Sequence, residues 1–390
     1  MRTISGRLTH LVAGFLALTL VGQAAMHSTS RAATAATPQP TTSRTGGLAL
    51  SVKGHTDLAP AGQNSSTGPL LYSGGPVQTA PLVYVVYWGW TSDPYGVEAY
   101  LNDFLSTVGG TPWLSTVTQY SGAGNPTGLY AGSWSDPSAA PAAPVADSAI
   151  QSEALAAVQH FGLGTSVNIQ IVVALPTGHD PANFPTQGGN VCAYHGPLAA
   201  YPNVTYTALP YMPDAGGSCG ANFVDGPLDG VSILEGHELA ESITDPLLNA
   251  WFDSSGFQNG EIADKCEWVG LENLTTSAGT FAVQSLWSNA TNGCVGVLAA
   301  PNPLTDDNDH VACPSDTLTW PSVPGASSYQ VWVRQSGAAS FGLGWTGTAT
   351  HLTISLARGQ SANYEARACS ADNFCGQFSN QDRIQNGTCE

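Results

Sequence analysis

Between Gly75 and Ala300 the sequence carries nineteen Asp and Glu residues against a single base, Lys265. One lysine cannot neutralise that many carboxylates, so each must be solvated, hydrogen-bonded by neutral donors or bound to a cation. Acids kept on a solvated surface account for most of the nineteen. Those that the hydrophobic pattern draws inward need one of the other two solutions. The whole chain has the same sign, with a net charge of −18. Such a surface repels phosphate backbones and anionic lipid, which excludes nucleic acid as an expected partner. At 390 residues, with 42 % hydrophobic content, ten Trp and thirteen Tyr, the chain has enough apolar material for two domains plus a leader.

Arg2 and Arg7, the apolar run Leu11 to Leu20 and the small residues Gly22 to Ala25 have the layout of a secretory signal peptide, residues 1–25. The run falls short of the roughly 20 residues a membrane helix needs. No later segment reaches that length, so no membrane insertion is expected after cleavage, and the mature chain is expected to be secreted and extracellular. Eight cysteines fit an oxidising compartment, where an even count points to disulfides. The expected pairs are Cys192 with Cys219, Cys266 with Cys294, Cys369 with Cys375, and Cys313 with Cys389. Paired CxxC knuckles of a four-cysteine zinc site are missing from the sequence.

Residues 26–73 are rich in Thr, Ser, Ala, Pro and Gly and read as a low-complexity stem or pro-segment. From residue 74 to 300 the pattern is α/β. Leu82 to Trp88 is a continuous apolar, β-branched and aromatic run, expected to be a strand buried on both faces. Val97 to Val108 has helical spacing ended by Gly109-Gly110; a second helix is expected over 147–161 and a strand over 167–175. Pro176 to Pro227 reads as loops, and His160 and His179 as structural or solvated. Asp306-Asp307-Asn308-Asp309 reads as a solvated linker with the donors, but not the spacing, of a calcium loop. Residues 301–390 turn all-β, with alternation in Tyr329 to Val333 and Tyr364 to Cys369.

The chemistry concentrates in Gly236-His237-Glu238-Leu239-Ala240-Glu241. At about 100° per residue His237 and Glu241 share one helix face with Glu238 beside them, while Ile233, Leu239, Ala240 and Ile243 occupy another sector. The helix is therefore expected to bury an apolar stripe and present its polar groups to a cleft. Neutral imidazole with carboxylate suits Zn2+ and the three-ligand open site of metal-assisted hydrolysis, with Ca2+ as the alternative ion. His237 and Glu241 supply two ligands, and Glu238 is the expected general base. Asp245 is a rival third ligand or supporting acid, and otherwise begins the turn at Pro246. His195, in the loop segment, is a candidate catalytic group, as ligand or oxyanion donor.

Three resemblances follow from these residues. HExxE followed twenty positions later by Glu261-Ile262-Ala263-Asp264 resembles the gluzincin metallopeptidases. That implies a zincin-like sheet with an active-site helix, Glu261 as third metal ligand and Asp264 as the acid behind a ligand histidine. It departs from them in having Glu241 where they have His, and in the closer Asp. Tyr72-Ser73-Gly74-Gly75-Pro76-Val77, Tyr87-Trp88-Gly89, Cys192-x-x-His195-Gly196, Thr244-Asp245-Pro246, Asn249-Ala250-Trp251-Phe252, Trp287 and Cys294 resemble the Exordium or phosphate-induced family of exported proteins. Trp320-Pro321-x-Val323-Pro324-Gly325-Ala326-x-x-Tyr329 with Tyr364-x-x-Arg367-Ala368 resembles a fibronectin type III sandwich. Together they imply a secreted zinc metallopeptidase-like hydrolase acting on peptide or protein. The alternative is a non-catalytic, Exordium-like binding protein that holds cell-wall polysaccharide or another partner.

Overall fold

The computed structural model describes residues 50–53, 68–253, 260–307, 315–323, 326–369 and 375–386. The expected signal peptide and the expected Cys313 to Cys389 pairing lie outside the described residues. Leu82–Trp88 forms the strand its composition demands, with a parallel neighbour on each side, Tyr130–Asp136 and Ile169–Ala174. Val204–Leu209 continues the parallel set, Val191–Pro197 runs antiparallel beside it, and Leu50–Lys53 closes the six-stranded sheet. Every residue of Ile169–Ala174 and Val204–Leu209 is buried, as expected of parallel strands covered on both faces.

The two faces feed two apolar clusters, following the two-residue period of a strand. Val83, Val85 and Tyr87 join one cluster with helix α1 (Val97–Val108) and helix α3 (Asp229–Thr244). Val86, Ile171 and Val173 join the other with helix α2 (Asp147–His160). In α1 the stripe Val97, Leu101, Phe104, Leu105 and Val108 is buried, and the Asp93 carboxylate accepts from the Val97 and Glu98 N–H groups at 2.9 and 3.0 Å. The α3 start is held by Asp229, whose carboxylate accepts from the N–H groups of Val224, Asp225 and Gly226. Pro246 ends it, and Asp245 Oδ1 accepts from Asn249 and Ala250 N–H, which fixes the turn.

Two expectations change. Pro176 to Pro227 contains the strands Val191–Pro197 and Val204–Leu209, and the stem contributes Leu50–Lys53 to the sheet and Leu71–Tyr72 to a pairing with Trp251–Phe252. Helix α3 has no solvent face at all; its sixteen residues are all buried. Small residues permit this. A Cβ on Gly236 would sit 2.9 Å from the Trp113 ring, so glycine lets α3 lie directly on Trp113 and Phe104.

Disulfides join Cys192 to Cys219, Cys266 to Cys294 and Cys369 to Cys375, as expected. Toward the C-terminus a four-stranded sheet, ordered Gly342–Gly347, Ser328–Gln335, Ser361–Cys369, Asp382–Gln385, faces the pair Asp316–Thr319 and His351–Ile354. Leu318 and Ile354 from the pair share one buried cluster with Tyr329, Val331, Tyr364, Ala366 and Ile384 from the sheet. In the preceding linker Asp307 Oδ1 accepts from Thr317 N–H; Asn308 and Asp309 lie outside the described residues. No helix among the described residues is long and apolar enough to cross a membrane.

Candidate metal centre

Three elements bring the acids and imidazoles together. His195 lies on Val191–Pro197, opposite Thr207 in the ladder and two residues from Ala193, so it points to the α3 face of the sheet. His237, Glu238 and Glu241 come from α3. Glu261 and Asp264 come from the segment that enters the 3₁₀ turn Asp264–Cys266, which the Cys266–Cys294 disulfide ties down. His195, His237, Glu238 and Glu261 are fully buried, with Glu241 at 1 % and Asp264 at 5 % exposure.

Donor atoms converge in two sets, each within 4.8 Å: His195, Glu241 and Glu261, and His237, Glu241 and Asp264. His195 Nε2 lies 3.8 Å from Glu261 Oε1, and its Nδ1 donates to Glu238 Oε2 at 2.9 Å. That contact fixes the tautomer and leaves Nε2 toward the acids, as a carboxylate behind a metal-binding histidine does. His237 Nε2 lies 3.0 Å from Glu241 Oε1 and 3.3 Å from Asp264 Oδ1. Glu241 Oε1 also accepts from the Asp264 N–H at 2.9 Å, and Glu261 N–H donates to Asp264 Oδ2 at 3.3 Å.

The expected trio of His237, Glu241 and Glu261 is thus grouped differently. Glu241 is common to both sets, Glu261 goes with His195, and Asp264 goes with His237. The backbone bond from Asp264 to Glu241 carries the Asp264 carboxylate onto His237, which leaves Glu261 to the strand. Asp245 is engaged by its turn. Sequence reasoning missed Glu235: it is buried, and neither carboxylate oxygen has a hydrogen-bond partner. Its position three residues before Glu238, on neighbouring helix positions, was the available signal.

Electrostatics follow from crowding. Burial, then the charge of Glu238, holds Glu235 well above the usual carboxyl range, which favours its neutral form. Burial also raises Glu238, against the pull of its bond to His195. Asp264 is pushed to about 7 by burial and then by the charge of Glu241. Glu241 goes the other way: burial opposes its charge, but His237, His195 and the Asp264 N–H outweigh it. Burial opposes charging of both imidazoles too, and the surrounding carboxylates overcome it, raising His195 and His237. Lys265, the lone base of this region, is held by Asp253 at 2.7 Å. Protons or a divalent ion can relieve this excess of buried acid, so uptake of an ion is coupled to proton release.

No family model matches the chain, and no curated protein matches it. The chain is similar to solved fibronectin type III-like domains over about a quarter of its length. An Fn3-like protein from Clostridium thermocellum is 27 % identical, covering 24 % of this chain and 99 % of that one, with a TM-score of 0.20. The sixth fibronectin type III domain of human fibronectin type III domain containing protein 3 is 13 % identical over 24 % of this chain and 91 % of its own, with a TM-score of 0.21. Titin kinase with its flanking domains shows 16 % identity over 24 % of this chain, which spans only 18 % of that structure, at a TM-score of 0.21. TM-scores this low carry no argument about the chain as a whole.

Proposed function

We propose that the chain is a secreted zinc-dependent hydrolase of metallopeptidase type, with a C-terminal fibronectin type III-like module that positions it. The observation that carries this reading is the meeting of His195, Glu241 and Glu261 donor atoms in a solvent-excluded cluster of acids. The donors fit zinc: a buried imidazole nitrogen, His195 Nε2, has no hydrogen-bond partner and has Glu261 Oε1 at 3.8 Å, with a Glu241 oxygen in the same cluster. A mixed sheet in which the antiparallel strand Val191–Pro197 carries His195, followed by the helix that bears HExxE, supports a zincin-like reading.

His195, Glu241 and Glu261 would hold the ion, which when bound supplies Lewis acidity for attack on a carbonyl. Glu238 Oε2 keeps the His195 ring in place. Its other oxygen, Oε1, is buried without a hydrogen-bond partner and is the atom that takes a proton from the attacking water and passes it to the leaving amine. A low-dielectric surrounding strengthens each of these interactions.

One observation favours the second reading, an Exordium-like extracellular binding protein without catalysis. Every residue of α3 is buried, and no donor is more than 5 % exposed. The test is elemental analysis of the exported protein after zinc loading and desalting, together with cleavage of an unfolded protein substrate. Bound zinc with chelator-sensitive cleavage is the expected result. Bound zinc without cleavage, or a folded chain without zinc, would overturn the hydrolase and move the assignment to the binding protein.

A further inference from the structure

We infer that Glu241 bridges two cation sites, one made by His195 and Glu261 and the other by His237 and Asp264. The inference rests on the metal-centre reading above and extends it from one ion to two. The two donor sets share Glu241 and nothing else. Oε1 of that carboxylate is 3.0 Å from His237 Nε2, while Oε2 lies on the His195 side, 3.5 Å from the Nδ1 that bonds Glu238, and donor atoms of His195, Glu241 and Glu261 stand within 4.8 Å of one another. A carboxylate with one oxygen turned to each side is the group that paired-metal hydrolases place between ions about 3.5–4 Å apart.

A second observation points to a ligand at His237. The ring is fully buried, and neither Nδ1 nor Nε2 makes an aligned hydrogen bond. The Glu241 and Asp264 oxygens stand within 3.3 Å of Nε2, yet they do not take its proton in line. Donors gathered around a point, with a bare nitrogen among them, are arranged as ligands around an ion.

Charge gives the same count. Glu238, Glu241, Glu261 and Asp264 carry four negative charges when ionised, and neutral histidines add none. One divalent ion would leave two of these charges to be met by protons held in a volume closed to water. A second ion closes the balance without those protons. Each ion then has one imidazole nitrogen and two carboxylate groups, a donor set suited to zinc or manganese. The pairing favours substrates whose attacking and leaving oxygens can be held by two ions, or whose free amino terminus can occupy one of them.

The experiment is a zinc titration of the full exported chain, stripped with a chelator and followed by calorimetry and elemental analysis. Asp264→Asn and Glu261→Gln run in parallel, with far-ultraviolet circular dichroism as the folding control. Two ions per chain are expected in the wild type and one in each variant. Asn keeps an oxygen for the Glu261 N–H, so folding is expected to survive. One ion in the wild type, retained by Asp264→Asn, would overturn the bridge and leave the His195, Glu241 and Glu261 site standing. Two ions retained by both variants would overturn the assignment, and none in any protein would overturn the metal centre itself.

Discussion

Glu238→Gln separates the two tasks assigned to one carboxylate. In the structure Glu238 Oε2 accepts from His195 Nδ1 at 2.9 Å between two fully buried side chains. Glutamine keeps an oxygen for that bond and the same volume, but loses the charge that makes the imidazole a better donor to a metal. Loss of such a supporting carboxylate weakens metal affinity by about 10–100-fold, or about 1.4–2.8 kcal/mol at 1.4 kcal/mol per decade. Turnover is expected to fall further, by about 10²–10⁴-fold, because the amide cannot take a proton. Without metal the sign reverses. Removing a charge that burial and Glu241 disfavour stabilises the apo-protein, by about 2–4 °C in melting temperature for each kcal/mol relieved. Zinc competition against a chromophoric chelator, peptide cleavage and melting of the stripped protein read the three effects. Glu235→Gln is the control, since a buried carboxyl whose neutral form is favoured changes little when it becomes an amide. A Glu238→Gln protein with wild-type zinc affinity, cleavage and apo melting would refute the reasoning.

Three further predictions concern the scaffold. Burial, then the neighbouring Asp136, holds Glu153 at about 8; the folded chain keeps this proton while the unfolded chain loses it from about pH 4.3 upward, so the residue costs stability progressively between those values. Glu153→Gln is therefore expected to raise the urea midpoint increasingly from pH 5 to about 8, and a difference that stays flat over that window would contradict the assignment. Replacing Cys192 and Cys219 by Ser opens a loop with a sequence separation of 27, which should cost about 3–4 kcal/mol in denaturant unfolding. Gly236→Ala gains about 1 kcal/mol of helix propensity, but its methyl would meet a Trp113 ring pinned by the bond from Nε1 to Gln284 O at 2.7 Å. Overpacking of about 1–3 kcal/mol outweighs that gain, so the variant is expected to melt below wild type in calorimetry.

The parts of this fold that the sequence announced are those in which local pattern and burial agree. Leu82–Trp88 and Val97–Val108 appear with the expected bounds, and the alternation in Ser328–Gln335 marks its sheet. Three cysteine pairs close as neighbours along the chain. Val191–Pro197 was hidden because it mixes Cys, Tyr, His, Gly and Pro; its strand character comes from the Val204–Leu209 partner, which local pattern does not display. Leu50–Lys53 was hidden likewise in a Ser- and Gly-rich stretch. Helix α3 misled in a more instructive way. Its polar residues are charged in the sequence, and a charged face ordinarily means a wet one. Here sheet, α1 and the Asp264–Cys266 turn close over that face, so the acids become an internal charge problem that neutral hydrogen-bond donors alone do not solve. The chain spacing of Glu261 and Asp264 could not decide which acid meets which histidine, because that depends on the backbone bond from Asp264 to Glu241. Nineteen acids with one lysine thus stated the requirement for compensation, and the packing of three elements gathered the buried acids around two imidazoles, with Glu241 common to both groups.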